Sequence, residues 1–142
     1  MESVRQLLES KGHQVWSIGP EATVYDALAL MAEQNIGSLA VLRDGQLVGL
    51  VSERDYARKV ALKGRASKDT PVRDIMATRV PYARPEQTVE ECMAVVTDLR
   101  VRHLPVLDDG RLIGIVSIGD LVKAIITEQQ FIIDQLEHYI TR

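Results

Sequence analysis

The stretch Gly49-Leu50-Val51-Ser52-Glu53-Arg54-Asp55 returns 65 positions later as Gly114-Ile115-Val116-Ser117-Ile118-Gly119-Asp120. In each copy the apolar residues after a glycine read as the end of a buried strand. The serine, with an aspartate three positions on, reads as the first turn of a helix. A chain passing from strand to helix N-terminus presents backbone N–H groups and the positive end of the helix dipole, which suits an anion. Ser-x-x-Asp is also an ordinary capping box, so one copy alone points no further than a helix start. Two copies in matching contexts carry more.

The match extends well beyond this stretch. Pro20-Glu21 aligns with Pro85-Glu86, Thr23-Val24 with Thr88-Val89, Val41-Leu42 with Val106-Leu107, and Asp44-Gly45 with Asp109-Gly110. About fifteen of roughly forty aligned positions are identical, more than shared turn chemistry produces, so the chain is one unit written twice. Each copy reads strand, helix, strand, strand, helix. In the first, Val15 to Ile18 is extended, Thr23 opens a helix with Val24, Ala27, Leu28 and Met31 on its apolar face, and Asp44-Gly45 is the favoured hairpin turn between Ser38–Leu42 and Leu47–Val51. Ser52 then starts a helix expected to run to about Leu62. In the second, Val72 to Met76 opens the half, Val80 to Ala83 is extended, Thr88 caps a helix with Val89, Cys92, Met93 and Val96 on one face, and the hairpin joins Leu104–Leu107 to Leu112–Val116. Neither half is large enough to bury a full core alone, so the two are expected to pack sheet against sheet with pseudo-two-fold symmetry.

Outside the repeats, residues 1–10 predict a short helix with Val4, Leu7 and Leu8 on one side, stopped at Lys11-Gly12. Residues 63–70 are polar and read as a surface linker. From Thr127 to Arg142 the pattern stays helical, with Phe131, Ile132, Leu136, Tyr139 and Ile140 along one stripe. Such a stripe can fold back on the chain's own core or meet a partner subunit, and a homodimer contact is the preferred reading.

Composition excludes several functions. Aromatic residues are only 4% of the 142, too few for base-stacking platforms, and a net charge of −3 without a basic run argues against binding a phosphate backbone. The single cysteine, Cys92, allows neither an internal disulfide nor a cysteine zinc cage and is expected to be a buried packing thiol. No apolar run is long enough to span a bilayer and no signal-peptide core precedes the first repeat, so a cytoplasmic location is expected. No nucleophile–base pair, phosphate-binding loop or metal-ligand cluster is present, and His13, His103 and His138 are scattered; the chain does not read as an enzyme.

The repeat resembles a pair of CBS domains, the module named for cystathionine β-synthase. The residues that carry the resemblance are the paired glycine-to-Ser-x-x-Asp stretches, the two Asp-Gly hairpins, His103-Leu104-Pro105-Val106, and Asp74-Ile75-Met76 ahead of the second half. It covers nearly the whole chain and is closest in wording to stand-alone CBS pairs of bacteria and of plant organelles. The implied fold is α/β, with one CBS domain at residues 1–65 that includes the N-terminal helix, a second at 66–126, and a further helix at 127–142. The implied ligands are adenosine compounds held in clefts between the halves: AMP, ADP, ATP, S-adenosylmethionine and, in some stand-alone members, NAD(H), with no metal required. The implied role is regulation of a partner protein in response to energy or redox state. The alternative is a constitutive dimeric scaffold in which Ser-x-x-Asp is only a helix cap.

On that resemblance Asp55 and Asp120 would accept hydrogen bonds from a ribose diol, and Ser52 and Ser117 would donate to phosphate. Ser17 and Ile18, the run Ile36-Gly37-Ser38-Leu39, and the run Val101 to Leu104 would flank the adenine. The two halves differ in charge. Arg100, Arg102 and His103 stand where the first half has Asn35, Gly37 and Ser38, while Arg54 stands where the second has Gly119. Arg54, Arg100 and Arg102 together would make a phosphate clamp, and the two sites are expected to be non-equivalent. Gly37 and Ser38 leave room for the larger end of a dinucleotide. Trp16, a lone tryptophan on a short strand, is expected to fill the core, although it could offer an aromatic surface nearby.

Overall fold

The computed structural model describes residues 2–141; Met1 and Arg142, at the outer ends of the expected first domain and terminal helix, lie outside them. The elements follow the chain as α1 (Val4–Lys11), β1 (Ser17–Ile18), α2 (Val24–Gln34), β2 (Ser38–Arg43), β3 (Gln46–Ser52), α3 (Glu53–Lys59), α4 (Val89–Leu99), β4 (His103–Asp108), β5 (Arg111–Ser117) and α5 (Ile118–Thr141). Short 3₁₀ turns occupy Ala61–Lys63, Ser67–Asp69 and Val72–Asp74.

Local chemistry accounts for most of these boundaries. Ser3, Thr23, Ser52 and Thr88 are N-caps, each side chain accepting from the backbone N–H three residues on. Asp44 and Gly45 have φ of 50° and 78°, and Asp109 and Gly110 have 50° and 79°. Two successive positive φ values are what a two-residue hairpin turn needs to match strand twist. Asn35 and Arg100, the left-handed C-caps of α2 and α4, end both helices at the same repeat position.

Contacts divide the chain into two compact units. The first-repeat unit comprises residues 14–81 and 109–112. The second-repeat unit comprises residues 2–13, 82–108 and 113–141.

In the first-repeat unit β1 runs parallel to β2, and β2 runs antiparallel to β3 with a register shift between Val41 and Leu42. Val24, Ala27 and Met31 of α2 pack on Leu39, Val41 and Val51, joined by Val60, Val72 and Ile75. In the second-repeat unit β4 pairs with β5. Val89, Cys92 and Val96 of α4 and Leu121 and Ala124 of α5 pack on Leu104, Val106 and Val116, joined by Val4, Leu7 and Leu8 of α1. Cys92 is a packing thiol, as its helical position predicts. Burial, followed by the neighbouring Glu91 carboxylate, pushes it up to about 11.

The segments that join each core are exchanged relative to chain order. Val72 N donates to Ala22 O, Arg73 N to Pro20 O, and Val24 N to Thr70 O, so the stretch expected to open the second half closes the first. In the second-repeat unit the same three bonds are made by Val4 N to Gln87 O, Arg5 N to Pro85 O, and Val89 N to Glu2 O. Val4-Arg5-Gln6-Leu7-Leu8 therefore plays the part of Val72-Arg73-Asp74-Ile75-Met76, at an offset of 68 rather than 65. Ser3 and Gln6 form a reciprocal capping box, which starts a true α-helix. Pro71 precedes Val72–Asp74 without a side-chain cap, and the chain there makes one 3₁₀ turn before pairing Ala77 with Leu50.

Four smaller expectations are corrected. The α-helix after Ser52 ends at Lys59 instead of running to Leu62: Val60 is its C-cap, fully buried in the core, and the chain continues as the 3₁₀ turn Ala61–Lys63. The extended run Val15–Ile18 reduces to Ser17–Ile18, and Val80–Ala83 to a single parallel bridge from Ala83 to Val106, at the repeat position where Ile18 meets Val41. Trp16 does not fill the core; it remains 36% exposed, its carbonyl accepting from Ala40 N.

Candidate functional site

In the first-repeat unit Ser52 sits at the end of β3, opposite Ser38 in register. Its Oγ accepts from Asp55 N at 3.2 Å, while Asp55 Oδ2 accepts from Ser52 N and Ser52 Oγ, both at 3.0 Å. Glu53 N donates to Gly37 O, which ties the α2–β2 junction to the start of α3. The predicted residues Gly37, Ser38, Ser52 and Asp55 are thus brought together, with Leu39 buried beneath them. Ser17 and Ile18 lie one strand over, pairing Ala40 and Val41, and Ile36 N closes α2 by donating to Met31 O. Lys59 Nζ, one turn along α3, stands 3.4 Å from Asp55 Oδ1 and donates to Ile75 O.

The second-repeat unit repeats the frame. Ser117 N donates to Asp120 Oδ2 at 2.8 Å, Asp120 N donates to Ser117 Oγ at 3.0 Å, and Ile118 N donates to Arg102 O. In both units the helix start is therefore less open to an anion than a bare strand–helix junction. The serine N–H, the first helical N–H and the third are all taken, leaving only Arg54 N in one unit and Gly119 N in the other. Oδ1 of Asp120 accepts no hydrogen bond among the described residues.

The charged neighbours differ between units. In the second, Lys11 Nζ, at the end of α1, donates both to Asp120 Oδ2 and to Ile115 O. His13 Nδ1 lies 2.9 Å from Ile113 O. Burial works to raise the Asp120 carboxyl, but hydrogen bonds from Lys11 and Ser117 and the ammonium charge outweigh it and hold the group below its ordinary value. His103, half-buried on β4 beside the fully buried Leu104, is pushed down first by burial and then by Lys11 and Arg102, against the pull of Asp120. Arg100, Arg102 and Arg54 are exposed, and Val101 N closes α4 by donating to Val96 O.

Lys11 and Lys59 were not predicted from the sequence. Lys59 has a local signal, since it follows Asp55 by four positions on one helix face. Lys11 carries only a helix-stop signal in its local sequence, and nothing local ties it to a carboxylate 109 positions away.

The His103 environment sets a pH dependence. Below the ordinary value of 6.5 the unfolded chain binds a proton that the folded chain resists, so stability rises as pH climbs through this interval and falls as pH drops toward the folded value. Thermal unfolding followed from pH 7 to pH 5 should show a falling midpoint, and His103→Asn should flatten that slope. Equal slopes for both proteins would remove His103 as the cause. Asp120 acts in a lower range: the stability it adds is present above 3.8 and is lost as pH falls through its depressed folded value.

Comparison with known proteins matches the architecture. The CBS domain family matches residues 4–62 and again 72–127. The mitochondrial CBS domain-containing protein CBSX3 of Arabidopsis thaliana is 38% identical over 148 residues, covering 97% of this chain and 71% of that protein. Among solved structures, the CBS-domain protein NE2398 is 52% identical with a TM-score of 0.85, covering 89% of this chain and 99% of that one. A Burkholderia ambifaria protein with CBS domains is 49% identical with a TM-score of 0.85, covering 89% and 96%. With both repeats matched by the family and the exchanged segments, hairpins and Ser-x-x-Asp junctions in place, the chain belongs to the CBS-domain proteins, as a tandem pair.

Proposed function

We propose that this CBS pair is a regulatory module that binds an adenosine nucleotide, AMP or ATP, or else NAD(H), and passes its occupancy to a partner protein. The observation that carries the reading is the duplicated junction itself. In each unit a half-buried aspartate commits Oδ2 to its own helix cap and keeps Oδ1 outside it, so a carboxylate is held rigidly with acceptor capacity to spare. A ribose diol is a matching donor pair. Ser52 and Ser117, the backbone of Ser17, Ile18, Ile36 to Leu39 and Val101 to Leu104, and the exposed Arg54, Arg100 and Arg102 supply the remaining contacts to base and phosphate. A CBS domain pair solved in complex with 5′-methylthioadenosine and S-adenosyl-L-methionine shares the fold with a TM-score of 0.79 at 21% identity. That likeness concerns the fold alone. The role is regulatory rather than catalytic, and the cytoplasm is its proposed compartment; no helix among the described residues is long and apolar enough to cross a membrane.

The module is proposed to act as a homodimer. Along α5, Ile126, Ile132, Ile133, Leu136 and Ile140 are all exposed and recur at helical spacing beyond the part of the helix that packs on its own core. Sedimentation at a mass twice that of the 15.8 kDa chain is the expected result.

One observation favours a second reading, a ligand-free scaffold: serine and aspartate in each junction already satisfy one another as caps. A thermal-unfolding panel with AMP, ADP, ATP, NAD⁺, NADH and S-adenosylmethionine, with guanosine nucleotides as controls, separates the two. A ligand at a hundred times its Kd adds about 2.7 kcal/mol, which raises the midpoint by several degrees. A selective adenosine response supports the sensor; a flat panel on metabolite-free protein supports the scaffold.

A further inference from the structure

The two junctions differ in what already occupies the aspartate. In the first-repeat unit the carbonyl of Leu50 accepts from the backbone N–H of Ala77, and Asp55 meets a lysine of its own helix at 3.4 Å. In the second-repeat unit the equivalent carbonyl, Ile115 O, receives no such N–H among the described residues, because the C-terminal end of α1 turns its donors inward, Gly12 N donating to Leu8 O. The Lys11 ammonium takes that place and at the same time pairs with Asp120. It is anchored from a helix remote in sequence, held by the fully buried Leu8 and Val4. Yet the Lys11 and Asp120 side chains remain 34% and 26% exposed, so a ligand can reach both.

We propose that Lys11 determines the ligand specificity of the second-repeat site: its ammonium is a tethered competitor for the carboxylate that a ribose diol must engage, and a ligand phosphate is what draws it away. The inference rests on the nucleotide-binding reading given above. A ribose diol that spans both carboxylate oxygens displaces Lys11 from Asp120 Oδ2, and an uncharged nucleoside then leaves the ammonium without an anionic partner. A nucleotide exchanges that partner for its own phosphate, which Lys11 can follow on its flexible four-carbon stem. The site therefore prefers phosphorylated adenosine ligands to adenosine, and the first-repeat site, whose lysine lies at the longer distance, discriminates less.

The test is calorimetric titration with adenosine and with AMP in an Asp55→Ala background, which removes the first-repeat site. Lys11→Met should tighten adenosine binding about tenfold and weaken AMP binding, so that the AMP-to-adenosine affinity ratio collapses by tenfold or more. Lys11→Arg should keep that ratio close to the background value, since the cation is retained. A Lys11→Met protein with an unchanged ratio, or one that loses both ligands in parallel while unfolding at the normal temperature, overturns the proposal. So does an Asp55→Ala protein that binds neither compound while the unsubstituted chain binds AMP, which leaves the nucleotide-binding reading intact. Failure of the unsubstituted chain to bind any adenosine compound removes both.

Discussion

Gly49→Val destabilises the protein by roughly 3 kcal/mol or more, lowering the unfolding midpoint by on the order of 10 °C. The reason is a crossing of chain segments. A Cβ at residue 49 would stand 2.7 Å from Met76 Sδ and 2.8 Å from Ala77 O. Methionine can swing aside; the Ala77 carbonyl cannot, because it accepts from Leu50 N while Ala77 N donates back to Leu50 O. The side chain must either break that backbone pair or push the 72–77 segment off the core where Val72 and Ile75 are buried. Gly114 offers a contrast. The three atoms nearest a Cβ there all belong to the Leu8 side chain, with Cδ2 at 2.6 Å and Cδ1 at 2.9 Å. Gly114→Ala should therefore couple strongly to Leu8→Ala, the double variant being more stable than the sum of the two losses. Gly49→Ala should couple weakly to Met76→Ala, since the carbonyl stays in place. Chemical denaturation of these variants measures both couplings, and equal coupling at the two sites would refute the crossing geometry.

These glycines also mark where the sequence could be read and where it could not. The repeat, the caps at Thr23, Ser52, Thr88 and Ser117, the Asp-Gly hairpins and the buried faces of α2 and α4 are local patterns, and local hydrogen bonding and periodicity express them directly. The exchange of residues 2–11 and 70–77 is different. Helix α1 reaches its core through contacts about 80 to 110 positions away, which no window of periodicity contains. Its trace was a second internal register at 68, hidden because α1 is helical and its counterpart is a 3₁₀ turn. Val60 illustrates the same limit on a smaller scale, since burial in a distant core overrides the helical pattern that continues to Leu62. For the site, the serines and aspartates were legible as a motif; that three of the four leading N–H groups are already spent, and that a lysine from α1 stands on Asp120, follows only from the fold.

The second large effect concerns those aspartates. Hydrogen bonds to a charged acceptor contribute about 1.5–3 kcal/mol each, so removing a carboxylate that accepts from a ribose diol should weaken binding by roughly 10- to 100-fold or more. Removing a helix cap alone costs about 1 kcal/mol of stability and leaves affinity untouched. Asp55→Ala and Asp120→Ala therefore separate the two roles, provided stability and affinity are measured on the same protein. The most direct measurement is a calorimetric titration of the adenosine nucleotide that gives the largest thermal shift into the unsubstituted chain and into each aspartate variant. The nucleotide-sensor account predicts that Asp55→Ala and Asp120→Ala each abolish or weaken one binding event by at least tenfold while the protein stays folded. Unchanged affinity in both variants, with only the small stability loss of a missing cap, would contradict it.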